Sequence, residues 1–238
     1  DLDRTSHLSA DLKFGTISAR RVIEHVGTAT DGREAFVRQL AWRDFYAQIL
    51  FHAPHTVNNP FRDELGSISW AVDDEAVAAW KVGKTGYPLV DAGMRQLRTE
   101  GWMHNRVRMV AASFLVKDLG IDWRIGERYF RRVLIDADTA QNVGNWQWVA
   151  GTGADAAPYF RIMNPVAQSR RFDPDGAYIR RYVPELSSLN AATIHDPWEH
   201  PLEAAAAGVA LGEDYPYPMI DHAEAREITL RRFEAAKA

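Results

Sequence analysis

Residues 135–148 of this 238-residue chain read IDADTAQNVGNWQW. They hold two carboxylates (Asp136, Asp138), two carboxamides (Asn142, Asn145) and two indoles (Trp146, Trp148). Asp and Asn cap helices and make turns, and Trp fills cores, so each residue has an ordinary structural use. Together they suggest a second use. Carboxylates with no basic neighbour in the stretch, beside a glycine (Gly144) and two indoles, are costly to bury unless something binds them. That combination points to a ligand with a polar edge and an aromatic face. Spacing alone leaves both readings open.

A second set lies at helical spacing. Gln39, Trp42, Arg43 and Tyr46 fall at i, i+3, i+4 and i+7 and share a face. An amide, an indole, a guanidinium and a phenol could line a pocket for a flat polar ligand; an amphipathic stripe meeting solvent has the same spacing. Asn105 and Arg108 form a further i, i+3 pair, with Arg106 and Met109 beside it. Residues 161–181 hold five arginines, two aspartates and Gln168, and are the best local candidate for a phosphate-contacting edge. The hydroxyl-rich opening, TSHLSADLKFGTISAR (residues 5–20), reads as a capped loop. Its functional alternative is a cradle of hydroxyls and backbone amides for a phosphate.

Two other patterns carry no chemistry. His52 and His55 have no third ligand at metal-site spacing and are expected to face solvent. Gly83-Lys84-Thr85 imitates the end of a phosphate-binding loop, but the first glycine of that motif would fall on Ala78.

The elements that position these residues are helices. Residues 31–52 are capped by Thr30 or Asp31, and their apolar side chains run nearly all round (Phe36, Val37, Leu40, Trp42, Phe45, Ile49), which predicts a mostly buried helix. A helix start is expected at Ser18. Asp73 caps a short helix through Trp80, and two helices over 87–101 and 102–119 break near Gly101. Others are predicted over 122–134, carrying Trp123 as a core residue, and over 221–236. Trp70 closes a Pro- and Gly-containing loop over 52–69. No strand pattern or internal repeat is visible, so the fold class is all-α.

Composition bounds the rest. At 46% hydrophobic and 25% charged the chain can bury a sizeable core. It has no run long and apolar enough for a membrane span, and Asp1–Arg4 does not read as a signal peptide. Without cysteine there is no disulfide, thiolate metal site or iron–sulfur cluster; a reducing, cytoplasmic setting suits this. The net charge of −4 sits in the tail: residues 196–238 carry nine acids and four bases, leaving the first 195 with 24 bases and 23 acids. A near-neutral body can still present a basic face.

Taken in order, TSHLSADLKFGTISAR, LAWRDFY, KTGYPLVDAGMRQLRTEGWMHNRVRM, IDWRIGERYF, DADTAQNVGNWQW and GTGADAAPYFRIMNP resemble the flavin-binding half of the DNA photolyase/cryptochrome family. WMHNR and NWQW resemble its microbial class I cyclobutane-pyrimidine-dimer photolyases. The resemblance implies one FAD- and DNA-binding helical domain over residues 1–238, without the α/β domain that carries an antenna chromophore in the family. The chain reads as a fragment or cut domain.

By that resemblance Thr5, Ser6, His7, Leu8 and Ser9 would hold the FAD pyrophosphate, Phe36 would pack near the cofactor, and Arg43 would serve its polar edge. Arg108 and Asp136 would pair beside the isoalloxazine, with Asp138 at its polar groups and Asn142 at its reactive nitrogen. Trp146, Trp123 and Trp70 would form an electron chain to the surface. Trp42 and Trp148 would stack on a flipped pyrimidine dimer, a mode of access the family uses. Gln39, Arg43, Tyr46, Asn105, Arg106, Met109 and Gln168 would complete the lesion and DNA contacts. The implied activity is light-driven repair of ultraviolet-damaged DNA by a monomer needing neither metal nor membrane. Gln39 stands where dimer-repairing members usually have Glu, and members that repair the (6-4) photoproduct often have Gln. One alternative is therefore (6-4) repair; the family's other branch supplies a second, a cryptochrome-type blue-light receptor.

Overall fold

The computed structural model describes residues 5–63, 66–155, 158 and 161–236. Asp1–Arg4 and most of the ADAAPYF part of one quoted motif lie outside it. The described residues form twelve α-helices with no ladder of strands; pairing is limited to the isolated bridges Ala71–Ile121 and Leu211–Tyr215. Among them no helix is long and apolar enough to cross a membrane.

Two of the helix starts are the caps read from the sequence. Thr30 opens α3 (Asp31–His52) by accepting from Arg33 N at 3.4 Å, and Asp73 opens α4 (Asp74–Val82) by accepting from Ala76 N at 2.8 Å. Helix α5 (Pro88–Glu100) begins on proline and stops at Gly101, which takes the left-handed conformation. Next come α6 (Asn105–Ser113), a π-helical turn (Phe114–Asp118), and α7 (Trp123–Val133), capped by Asp122. Helix α8 (Thr139–Ala150) carries most of the 135–148 stretch and is capped by Asp138. After it lie α9 (Pro165–Phe172), α10 (Ala177–Tyr182), α11 (Pro201–Ala206) and α12 (His222–Ala235). Ahead of α3 stand α1 (Ser9–Phe14) and α2 (Ala19–Val26), with Ser18 at the start of α2 as expected. Helix α1 was not foreseen in the hydroxyl-rich opening.

The main core lies between α4, α5, α6, α7 and α8. Trp80, Met94, Phe114, Leu115 and Trp123 are fully buried there. Each large apolar side chain so buried stabilises the fold by roughly 1.5–3 kcal/mol. A second cluster, around Ile179, Val183, Leu186 and Tyr215, joins α10 to the chain that follows.

Helix α3 departs from expectation. Only Leu40 and Tyr46 are buried along it, and Trp42, Phe45 and Phe51 are exposed. Its apolar residues are spread round the helix, but among the described residues α3 meets chiefly α8 on one side, α2 near its start and the 3-10 turn Pro54–Val57 at its end. All-round hydrophobicity here marks open faces, not burial.

Candidate functional site: a cavity between α3, α6 and α8

Two glycines let three helices approach closely. A Cβ on Gly144 of α8 would stand 2.2 Å from the Tyr46 ring of α3, and one on Gly126 of α7 would stand 2.1 Å from the Trp146 ring. The close approach seats Tyr46 against α8 and turns Trp146 toward α7. Between the helices a cavity of about 330 Å³ opens. Helix α3 contributes Gln39, Trp42 and Tyr46, and α6 contributes Asn105, Arg108 and Met109. Asp136 and Asp138 come from the turn before α8, and Asn142, Trp146 and Trp148 from α8 itself. Residues separated by about a hundred positions in sequence thus share one cavity.

The carboxylates are not uncompensated. Arg108 donates to both oxygens of Asp136, at 3.0 and 2.8 Å, while its Nε donates to Met103 O at 2.6 Å. The Asp136 side chain is only 2% exposed, so this two-pronged pair is largely withdrawn from water. Asp138 accepts from Gln141 N at 3.1 Å, and its other oxygen lies 3.9 Å from Arg43. Arg43 leaves the stripe it shares with Trp42: it donates to Leu12 O at 3.0 Å, tying α1 to α3, and does not line the cavity. Burial, reinforced by the charge of Asp155, pushes the Tyr46 phenol up to about 12, so it stays a neutral hydroxyl.

Other expected residues lie outside the cavity. Ser6, Leu8 and Phe36 line a separate groove with α2, and Ser9 opens α1. The Thr5 hydroxyl is buried without a protein partner among the described residues. His7 has φ +52° and its ring sits 4.9 Å from that of Trp102. Arg106 lies with its guanidinium 4.6 Å from the Phe172 ring, Arg171 at 5.2 Å from the same ring, and Arg161 at 5.4 Å from Trp148. Burial, and then the charges of Arg161 and Arg171, lower the pKa of Arg106. Those three cations form a basic rim beside the cavity. By contrast Arg170, Arg180 and Arg181 are engaged by Asp196, backbone carbonyls and Glu100. Gln168 is half-buried near this rim in sequence, with its Oε1 unpartnered.

Of the three expected electron carriers, Trp146 touches the cavity, Trp123 is fully buried, and Trp70 is half-buried against Phe233. The rings nearest Trp146 are Phe130 at 5.0 Å and Trp80 at 6.2 Å; Trp80 in turn meets Tyr129 at 5.7 Å.

Sequence reasoning missed Phe130, Gln141 and Asp155 in the lining, and Glu127 beneath it. Glu127 had a readable signal. Trp123, Gly126, Glu127 and Phe130 form the buried stripe of α7, and an acid in such a stripe is out of place unless something holds it.

Residues 36–235 match the family model described as the FAD binding domain of DNA photolyase. The chain belongs to this family. It is 48% identical to the deoxyribodipyrimidine photo-lyase of Alkalihalophilus pseudofirmus, over 97% of this chain and 49% of that protein. Among solved structures it superposes on a class III photolyase from Agrobacterium tumefaciens with TM-score 0.96 and 48% identity, covering 99% of this chain and 50% of that one. A cryptochrome from Synechocystis gives TM-score 0.89 at 38% identity, over 96% and 49% of the two chains. The chain spans about half the length of the curated relatives it matches. The photolyase helical fold and FAD as its cofactor agree with the resemblance. The class I subgroup is not what the first of these structures carries, since that relative is of class III.

Proposed function

We propose that this domain is the FAD-holding, lesion-binding part of a light-driven enzyme that splits cyclobutane pyrimidine dimers in DNA. One observation carries the reading. Trp42 and Trp148, from helices far apart in sequence, line the same cavity as the Arg108–Asp136 pair and Asn142. Aromatic faces and a polar floor in one space suit a flat cofactor beneath a flat damaged base.

The residues present fit the cofactor. The cavity falls in the size range of small-molecule sites. Among the described residues the Asn142 Oδ1 has no protein donor, and the orphaned Thr5 hydroxyl stands ready for a phosphate oxygen. Thr5, Ser6, His7, Leu8 and Ser9 would hold the pyrophosphate, Phe36 and Arg43 the adjoining parts, and Asp136, Asp138, Arg108 and Asn142 the ring. Bound and reduced, FAD supplies the light absorption and the electron that opens the cyclobutane ring.

The protein then positions and shields. Trp42 and Trp148 stack on the extruded dimer, each stacked base being worth about 1–3 kcal/mol by alanine substitution in other proteins. Gln39, Tyr46, Asn105 and Met109 contact its edges. The rim of Arg106, Arg161 and Arg171, with Gln168, takes the flanking phosphates, which relieves their mutual repulsion. Trp146, Trp123 and Trp70 carry electrons inward when the flavin is oxidised. The protein acts as a class I enzyme, as a monomer in the cytoplasm, without a metal.

Gln39 favours a second reading, repair of the (6-4) photoproduct, because an amide can donate as well as accept where a carboxylate only accepts. Oligonucleotides carrying each lesion, incubated with flavin-reconstituted protein in light and dark, test both. Loss of the cyclobutane dimer in light alone is expected. Loss only of the (6-4) lesion selects the second reading. Equal binding to damaged and undamaged DNA with no repair selects a photoreceptor.

A further inference from the structure

Three carboxylates line the cavity among the described residues, and two of them are committed. Asp136 turns both oxygens to Arg108, and Asp138 caps α8 beside Arg43. Asp155 is different. Its side chain is exposed, and among the described residues no hydrogen bond or ion pair holds it.

The loop that carries Asp155 is nevertheless tied down. Gly151 ends α8 in the left-handed conformation, and Thr152 N and Gly153 N both donate to Gln147 O, at 3.0 and 3.2 Å. Thr152 O accepts from Arg62 N at 3.0 Å. The Gln147 side chain anchors the segment just before Arg62: its Nε2 donates to Thr56 O and Asn59 O, at 2.7 and 3.0 Å, and its Oε1 accepts from Phe61 N at 2.9 Å. From this anchored end of α8 the chain delivers Asp155 to the part of the cavity wall that Tyr46 occupies, and the Tyr46 phenol feels its charge.

An acid there opposes DNA. The proposed partner is a polyanion, and Arg106, Arg161 and Arg171 stand beside the same cavity; an uncommitted carboxylate near them subtracts from their attraction for phosphate. A donor that arrives with the ligand would offset that cost. Bases drawn out of a duplex are read along their pairing edges. The edge of a thymine runs carbonyl, imide N–H, carbonyl. Gln39 and the neutral Tyr46 hydroxyl can each donate or accept, whereas an ionised carboxylate only accepts. On such an edge Asp155 fits the N–H and neither carbonyl.

We infer that Asp155 is a specificity-determining residue whose carboxylate accepts the imide N3–H of one pyrimidine of the extruded lesion. The inference rests on the reading of this cavity as a lesion site. At the position Asp155 faces, the cavity then selects a thymine ring over one whose N3 carries a lone pair, as in cytosine, because two acceptors would oppose each other.

The test is binding in the dark by the full chain loaded with FAD. The oligonucleotides are undamaged, carry a thymine dimer, or carry that dimer methylated at N3 of one ring or the other. The parent protein should prefer the dimer to undamaged DNA, and one of the two methyl groups should cost it about tenfold. Asp155→Ala should lower the dimer preference about tenfold, and the same methyl group should then cost less than about twofold. Asp155→Asn keeps an acceptor without the charge and should lose about threefold. A carboxylate acting through charge alone gives another pattern: both variants tighten on damaged and undamaged DNA alike, and the methyl penalty persists. That pattern overturns the inference, and so does a dimer preference in Asp155→Ala within about twofold of the parent. In either case a parent that prefers the dimer leaves the lesion-site reading standing. Equal binding of damaged and undamaged DNA by the parent overturns both.

Discussion

Gly126 of α7 and Trp146 of α8 are fitted to one another: hydrogen is the largest substituent position 126 can carry while the indole lies where it does. The atoms a Cβ would meet are Trp146 Cη2 at 2.1 Å and Leu115 Cδ2 at 2.6 Å. Both belong to the main core.

Gly126→Ala is therefore expected to destabilise the fold. Alanine is intrinsically better than glycine inside a helix by about 1 kcal/mol, but overpacking a core costs about 1–3 kcal/mol. The net loss should reach up to about 2 kcal/mol in urea denaturation, with weaker FAD uptake because Trp146 must shift at the cavity wall. A variant as stable as the parent would show that the indole can move at little cost.

The helices were legible because their boundaries carry local chemistry. Thr30, Asp73, Asp122, Asp138 and Asp221 each accept from a backbone N–H at a helix start, and all but Asp138, which lay inside the 135–148 stretch, stood at the head of a predicted helix. The stripes on α3 and α6 were legible as shared faces for the same reason. What lay across from a face was not. Periodicity could not say that α3 would stay largely open, that Arg43 would reach back to Leu12, or that Phe36 would face a groove apart from Asn142. Those depend on contacts between distant segments. The compensation of Asp136 by Arg108, 28 residues away, is of the same kind; resemblance to a family supplied it, and spacing did not.

The Arg108–Asp136 pair should matter far more than the neighbouring Arg43–Asp138 pair. Asp136→Asn leaves Arg108 with its Met103 bond but no counter-charge; breaking a buried pair costs about 3–5 kcal/mol. Arg108 keeps 24% exposure, so a loss near about 3 kcal/mol is expected. Asp138→Asn keeps the α8 cap, since Asn caps as well as Asp, and gives up only a 3.9 Å contact; the expected cost is under about 1 kcal/mol. Thermal melts of the two variants side by side check the ordering, and equal losses would contradict it.

Lys117 and Asp118 are consecutive in the π-helical turn and titrate abnormally in opposite directions. Burial lowers Lys117 from 10.5 to about 7; its ammonium donates to Ala150 O and lies 3.6 Å from the Phe233 ring. Burial raises Asp118 from 3.8 to about 6, with the bond and charge of His222 opposing. Between about pH 7 and 10.5 the unfolded chain holds more protons at Lys117 than the fold does, so stability rises with pH. Between about pH 4 and 6 the fold holds more protons at Asp118, so stability falls with pH. These two groups together predict a minimum between about pH 6 and 7. Urea denaturation across that range should show Lys117→Met flattening the alkaline limb by a few kcal/mol, at about 1.4 per pKa unit. An alkaline limb that keeps its slope in Lys117→Met would contradict the assignment.

In the proposed electron chain, Trp146 is the member that touches the cavity. Trp146→Phe should slow light-driven reduction of oxidised flavin about tenfold or more, while repair with flavin reduced beforehand stays within about twofold. Two exits lead away from it. The first is the proposed one, to the buried Trp123, whose Nε1 has no acceptor among the described residues, and on to the half-buried Trp70. The second runs through ring contacts, from Trp146 to Phe130 and Trp80 and then to Tyr129, whose hydroxyl donates to Lys81 O. If both conduct, Trp123→Phe alone leaves part of the rate and the double change with Trp80→Phe falls to that of Trp146→Phe. Transient absorption on the single and double variants separates the cases. A Trp123→Phe rate already as low as that of Trp146→Phe would leave the Trp80 route carrying nothing.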